Sequence, residues 1–84
     1  MYDLDDLLQN GLNAVDQYVV RSKHDNEENR FLASQHMADA NNCLIKLKHE
    51  TINPVLSSEE RAKAAAYAEK LQNKIQAAMP AQGV

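Results

Sequence analysis

Apolar residues recur along the chain at intervals of three and four, the spacing that places side chains along one side of an α-helix. Three segments carry such a stripe, and short polar stretches separate them. The stripes are, in chain order, Leu4, Leu8, Gly11, Val15 and Tyr18; Ala33, Met37, Ala40, Leu44 and Leu47; and Ala64, Ala68, Leu71, Ile75 and Ala78. The pattern predicts an all-α protein with helices over about residues 3–20, 26–51 and 58–78.

Local signals for helix ends agree with these three segments. Ser57 followed by Glu60 matches the capping box that begins many helices, and Asp25 followed by Glu28 predicts a similar start for the second helix. Pro54 predicts the end of that helix, because the residue before a proline avoids helical backbone angles. We therefore expect one domain over residues 1–84, folded as an up-down-up bundle, with a short tail at residues 80–84.

The proportions of the predicted helices favour self-association. At about 1.5 Å per residue, the middle helix would overhang a neighbour by roughly two turns, so it either bends near Asn41 and Asn42 or packs its extra length against another subunit. The third helix is rich in alanine, which buries little area per side chain. Gly11 lies in the middle of the first stripe, where it predicts a close crossing by another helix. A monomer of 84 residues with such a core would be marginally stable, so we expect a homo-oligomer or an obligate complex.

Composition narrows the range of functions. The net charge of −3 disfavours binding to nucleic acid or to an anionic membrane. Cys43 is the only cysteine, which excludes an internal disulfide and fits a reducing compartment. The sequence begins without the pattern of a signal peptide, and it contains no apolar run long enough to span a bilayer. These features predict a cytoplasmic, non-secreted protein.

Candidate chemistry in the sequence is sparse. His36, Asp39 and Cys43 share one side of the second helix and are residue types that bind zinc, but no second cluster completes a metal site. A helix interior is also a poor place to activate the Cys43 thiol as a nucleophile. Phosphate-loop, dinucleotide and zinc-protease motifs do not occur. We therefore expect no catalytic residue, no metal and no cofactor.

Two polar features suggest weaker alternatives. The basic residues Lys46, Lys48, Arg61 and Lys63 would form an anion site, between subunits, for a small ligand or nucleotide. Side-chain amides beside the apolar stripes would set the register between helices or subunits. These amides are Asn10, Asn13, Gln17, Asn41, Asn42, Asn73 and Gln76. Nucleic-acid binding through the basic third helix is a further alternative, which the overall charge makes unlikely.

A second apolar line on the middle helix carries the leading functional hypothesis. Phe31, Ala38, Ile45 and Ile52 follow one another at intervals of seven, beside the predicted core stripe. A three-helix core cannot easily bury them with everything else, so some apolar residues should lie at a contact with a second subunit or a larger protein partner. The candidate interface residues are Leu4, Leu8, Val15, Tyr18, Phe31, Ile45 and Ile52. The sequence thus predicts a non-enzymatic interaction or assembly protein, of the accessory or inhibitor type common in bacteria and phages.

Overall fold

The computed structural model describes residues 3–79, and these form three helices: α1 (Leu4–Ser22), α2 (Glu27–Glu50) and α3 (Ser58–Ala78). Each helix packs against both of the others, and no strand occurs within residues 3–79. The predicted all-α three-helix bundle is therefore confirmed. The predicted tail at residues 80–84 lies outside the described residues.

Contacts between the helices establish the up-down-up order. The Arg21 guanidinium near the end of α1 donates to Asn29 near the start of α2, which makes these two helices antiparallel. Asp5 and Asp16 of α1 pair with Lys63 and Lys74 of α3, in the same order along both helices. Helices α1 and α3 are thus parallel, and α2 runs against both.

The middle helix is the longest, but by less than the sequence suggested. It has 24 residues, compared with 19 in α1 and 21 in α3. The difference from α1 is about 7.5 Å at the usual helical rise, or somewhat less than one and a half turns. The expected overhang of roughly two turns was therefore too large, because α1 continues to Ser22 and α2 already ends at Glu50.

The caps explain where the helices begin. Ser57 and Glu60 form the predicted capping box, with the Ser57 Oγ accepting from the Glu60 amide at 3.1 Å. For α2 the capping prediction was wrong by one residue. The cap is Asn26, whose Oδ1 accepts from the backbone amide of Asn29 at 2.8 Å. Asp25 instead pairs with Arg30 at 3.3 Å, since its carboxylate lies just outside the helix.

The core is a single cluster to which all three helices contribute. The predicted stripes of α2 and α3 are buried almost as expected, whereas on α1 Leu7 and Ala14 are buried and Leu8 is only half-buried. Three core side chains have no exposed surface and are the largest of that kind: Val15, Leu47 and Leu71. Each helix therefore contributes one of these fully buried side chains to the centre of the core: Val15 from α1, Leu47 from α2 and Leu71 from α3.

Gly11 lies where α2 and α3 both approach α1. A Cβ atom at this position would lie 2.6 Å from Leu71 Cδ2 and 3.2 Å from Cys43 Cβ. Both distances are shorter than ordinary carbon–carbon contacts. The predicted close crossing is thus confirmed, and it involves both neighbouring helices.

The turn between α2 and α3 is held by Arg61. Its Nη1 donates to the backbone carbonyl of Leu56 at 2.6 Å and to that of Asn53 at 3.2 Å. Leu56 is buried beneath the turn. One guanidinium from the first turn of α3 thereby satisfies two carbonyls of the segment that precedes it, and this fixes how α3 enters the bundle.

Candidate functional site

The outer side of α2 carries a row of exposed apolar residues, which we call the outer stripe: Phe31, Ala38, Ile45 and Ile52. Relative exposure is 62% for Phe31, 50% for Ile45 and 78% for Ile52. A spacing of seven returns to nearly the same side of a helix, with a drift of about 20° per step. Phe31, Ala38 and Ile45 therefore form a line on α2, and Ile52 continues it into the following turn.

The outer stripe lies opposite the side of α2 that enters the core. The inward side consists of Ala33, Met37, Ala40, Leu44 and Leu47. Single exposed apolar residues are common on protein surfaces and need no explanation. Bulky apolar residues in register along a helix are different, because this arrangement is the one by which helices pack against other helices. In the part of the chain that the structure describes, residues 3–79, no helix covers the outer stripe.

The candidate interface residues of α1 are less exposed to solvent than those of α2. Leu4 and Val15 are buried in the core, with 8% and 0% exposure. Leu8 and Tyr18 are half-buried and pack against that core. Leu4 and Val15 are therefore removed from the candidate interface, since α1 contacts both other helices and uses these side chains to do so.

Two further exposed apolar residues, Val55 and Val20, were not among the interface residues predicted from the sequence. Val55 is 75% exposed in the same turn as Ile52, and together they form an apolar tip at this end of the bundle. Val20 is 48% exposed near the end of α1. A helical wheel places Val20 well away from the buried side of α1, so its phase could have revealed it. Val55 lies outside the three helices, so helical periodicity could not have predicted its exposure.

An open polar groove runs between α1 and α2. It encloses about 440 Å³ and is lined by Asn10, Asn13, Ala14, Gln17, His36, Asp39, Asn42, Cys43 and Lys46. Two sets of residues that are far apart in sequence, the amides of α1 and the polar residues of α2, thus meet in one place. The antiparallel packing of the two helices is what brings them together, as the approach of Cys43 to Gly11 shows.

The groove does not have the chemistry of a zinc or thiolate site. No group of three or more His, Cys, Asp or Glu residues within residues 3–79 is arranged to hold a metal ion. Burial raises the pKa of the Cys43 thiol, although nearby Lys46 opposes this effect. A raised pKa keeps the thiol protonated near neutral pH, which is the wrong direction for a nucleophile or a metal ligand.

The four basic residues of the predicted anion site lie in different surroundings. Arg61 binds backbone carbonyls of the α2–α3 turn, and Lys63 pairs with Asp5 at 3.4 Å. Lys46 lines the polar groove, and Lys48 is exposed in the last turn of α2. Arg61 and Lys63 already contact other groups of this chain. The four basic residues therefore do not point towards a common position where an anion could bind.

Lys63 belongs to a small polar cluster that joins α3 to the start of α1. The Tyr67 hydroxyl donates to Asp5 Oδ1 at 2.6 Å, and the Lys63 ammonium lies 5.4 Å from the centre of the Tyr67 ring. The hydrogen bond from Tyr67, followed by the contact with Lys63, lowers the pKa of Asp5. The contact with Asp5 in turn raises the pKa of Lys63 and of Tyr67.

These shifts predict a pH window for the cluster. A lowered pKa of Asp5 stabilises the fold above the ordinary aspartate pKa, and this contribution is lost as the pH falls through the lowered value. The raised pKa values of Tyr67 and Lys63 stabilise the fold at pH values below the ordinary tyrosine and lysine pKa values. This stabilisation is lost as the pH rises through the raised pKa values. We expect Tyr67→Phe to reduce stability slightly between about pH 4 and pH 10, and less outside that window.

Thermal denaturation of wild type and Tyr67→Phe, from below about pH 4 to above about pH 10, measures the difference. Tyr18→Phe is the matched control, because the structure shows no hydrogen bond from Tyr18 to any residue of 3–79. A constant difference between wild type and Tyr67→Phe at every pH would contradict the proposed contribution of Asp5.

Comparison with known proteins gives no further lead: no protein-family model, curated protein or solved structure matches this chain. Among residues 3–79, no helix is both long enough and apolar enough to cross a membrane.

Proposed function

We propose that this chain is a non-enzymatic interaction protein and that the outer stripe is its binding surface. The observation that supports the proposal is the exposed alignment of Phe31, Ala38 and Ile45 along α2. Such a row matches the apolar side of another amphipathic helix, which would pack along α2 and remove these side chains from water. The occupant is therefore an α-helix with its own apolar stripe.

The energetics of the outer stripe favour this occupant. Fully burying a large apolar side chain stabilises a complex by about 1.5–3 kcal/mol relative to leaving it exposed. Phe31 and Ile45 are each at least half exposed, so a large part of that energy remains to be gained on binding. Ala38 lies between them and would let a partner helix approach closely at the middle of the contact.

Site-specific photo-crosslinking in the cell that encodes the chain tests the binding surface. A photoreactive phenylalanine analogue is placed at Phe31 or at Ile45 in separate variants. The matched control carries the same analogue at Ala66, which is also exposed but lies on the outer side of α3. We expect one discrete adduct from both α2 positions and none from Ala66, because only the outer stripe would contact the partner.

The distribution of adducts decides the outcome. Equal crosslinking from Ala66 and from the two α2 positions would show that the chain meets other proteins without using the outer stripe. Absence of adducts from Phe31 and Ile45 would equally overturn the proposal. Adding Phe31→Ser to the Ile45 probe variant should abolish its adduct, since the two residues would contact the same helix.

The polar groove supports a second candidate function, the binding of a small polar ligand. It places the cationic Lys46 and the anionic Asp39 on one wall and a row of amides on the other. Such side chains suit a ligand with several hydrogen-bonding groups. Thermal shift against nucleotides and inorganic phosphate, for the wild type and for Lys46→Gln, tests this alternative. A melting temperature of the wild type that does not change with any nucleotide or with phosphate would contradict the binding of anionic ligands in the polar groove.

A further inference from the structure

We infer that the partner of the outer stripe is a second copy of this chain, and that the two α2 helices pack antiparallel across a two-fold axis near Ala38. The inference rests on the proposed function, since it assigns the occupant of the same surface. Three features of α2 carry it: the placement of charge along the helix, the symmetry of the stripe, and the size of the contact.

Charge is polarised along α2. Its first turn is acidic, with Glu27 and Glu28, and its last turn is basic, with Lys48 and His49. In an antiparallel pair, the acidic turn of each helix lies beside the basic turn of the other, at both ends of the contact. A parallel pair would place like charges together at both ends. The charges at the two ends therefore favour an antiparallel over a parallel pair, with Arg30 already paired with Asp25 and Glu50 buried.

The three members of the outer stripe that lie within α2 are symmetric about Ala38, whereas Ile52, in the following turn, has no apolar counterpart because position 24 is His24. Phe31 lies seven residues before Ala38 and Ile45 seven residues after it. An antiparallel pair centred on Ala38 therefore places Phe31 of each copy level with Ile45 of the other. The same register places Glu27 level with His49 of the second copy, and both of these residues are exposed.

Close approach is possible at the centre of this arrangement. Two Ala38 side chains would meet at the axis, where a larger residue would hold the helices apart. The bulky side chains lie on either side of the axis. Each Phe31 ring would therefore cover Ile45 of the second copy, and the contact would be made twice because of the symmetry.

The size of the contact indicates a weak dimer. Helix α2 has 24 residues, which is about 36 Å at the usual rise, and a helix is about 10 Å wide. A strip of these dimensions covers about 360 Å² per copy, or about 720 Å² in total, which is below the roughly 1,200 Å² of stable specific interfaces and in the range of weak, transient contacts. We therefore expect dissociation in the micromolar range, so that the oligomeric state changes with protein concentration.

Sedimentation velocity over about 1–500 μM measures the equilibrium for the full chain. We expect wild type to shift from monomer to dimer in this range, and Phe31→Ser/Ile45→Ser to stay monomeric throughout. The control Val20→Ser removes an apolar side chain that is also about half exposed, but on α1, and should dimerise like wild type. Far-UV circular dichroism of each variant checks that the helices remain intact.

Charge variants test the direction of the pair. Lysine carries a full positive charge near neutral pH. His49→Lys should therefore tighten an antiparallel dimer about three-fold to ten-fold, through two symmetric contacts with Glu27. Glu27→Lys should weaken it by a similar factor, and Glu27→Lys/His49→Glu should restore it. The gain with His49→Lys cannot result from unfolding, so it separates a direct contact from general damage.

The outcomes distinguish this inference from the proposed function. Weaker dimerisation of His49→Lys would indicate a parallel pair and overturn the antiparallel arrangement. A chain that stays monomeric at 500 μM, yet crosslinks from Phe31 and Ile45 to a different protein, would overturn self-association and leave the binding surface standing. Dimerisation that persists in Phe31→Ser/Ile45→Ser would overturn self-association through the outer stripe, because the dimer would then use another surface, and crosslinking from Phe31 and Ile45 would still decide the proposed function.

Discussion

Leu71→Ala is expected to lower the free energy of unfolding by about 3–4 kcal/mol, as is typical for truncation of a fully buried leucine. Leu71 has no exposed surface and contacts the close crossing at Gly11. A domain of this size has a total stability of only about 5–15 kcal/mol, so the loss removes a large part of it. Urea denaturation followed by circular dichroism measures the change.

Gly11→Ala provides a sharper test of the same crossing, because its effect should change sign with the residue at position 71. In wild type the new methyl group would meet Leu71 Cδ2 at 2.6 Å, and we expect a destabilisation of up to about 2 kcal/mol. With Ala at position 71 the clash with Leu71 is gone, and the remaining 3.2 Å approach to Cys43 Cβ needs a shift of only a few tenths of an ångström. The higher helix propensity of alanine, about 1 kcal/mol over glycine, should then stabilise the fold.

The double-mutant cycle of these two substitutions isolates their coupling. Ser34→Ala, an exposed change on the outer side of α2, serves as the uncoupled control and should have the same small effect in both backgrounds. An identical effect of Gly11→Ala with leucine or alanine at position 71 would show that the two positions do not touch.

Arg61→Ala is expected to destabilise the chain by about 1.5–3 kcal/mol, the range for hydrogen bonds to a charged group. The substitution removes the Arg61 donor from the Leu56 carbonyl and leaves the Asn53 carbonyl with the Leu56 amide alone. Arg61→Lys should recover part of the loss, since an ammonium group keeps the charge but lacks the fixed planar geometry that holds Nη1 between the two carbonyls. Thermal denaturation measures both variants.

Hydrogen exchange locates the effect of Arg61. In Arg61→Ala we expect faster exchange of the Leu56 amide, which donates to the Asn53 carbonyl in the same turn. Unchanged stability and exchange would contradict the role of Arg61 in the turn.

The helices themselves could be predicted from local sequence. The spacing of apolar residues, Pro54 and the Ser57–Glu60 box each depend on a few neighbouring residues, so they reveal where a helix lies without its surroundings. The error at the start of α2 also concerned neighbouring residues. Asp25 and Asn26 are both good capping residues, and only the backbone angles of Asn26 show which of them is used.

Which apolar residues remain exposed was decided by the tertiary structure. Periodicity identified Leu4, Val15, Phe31 and Ile45 alike as apolar residues on helix sides, but it carries no information on which side meets a neighbouring helix. Helix α1 is covered by both neighbours, so Leu4 and Val15 are buried, whereas the outer side of α2 has no neighbouring helix among residues 3–79.

The sequence by itself determined three helices, most of their ends and the close approach at Gly11, because these follow from interactions within a helix or from the size of one side chain. Only the tertiary structure decided that the amides of α1 face His36 and Asp39 across one groove, and that Arg61 and Lys63 are held within the chain. Those arrangements depend on how one helix rotates against another, which is set by the packing of the whole core.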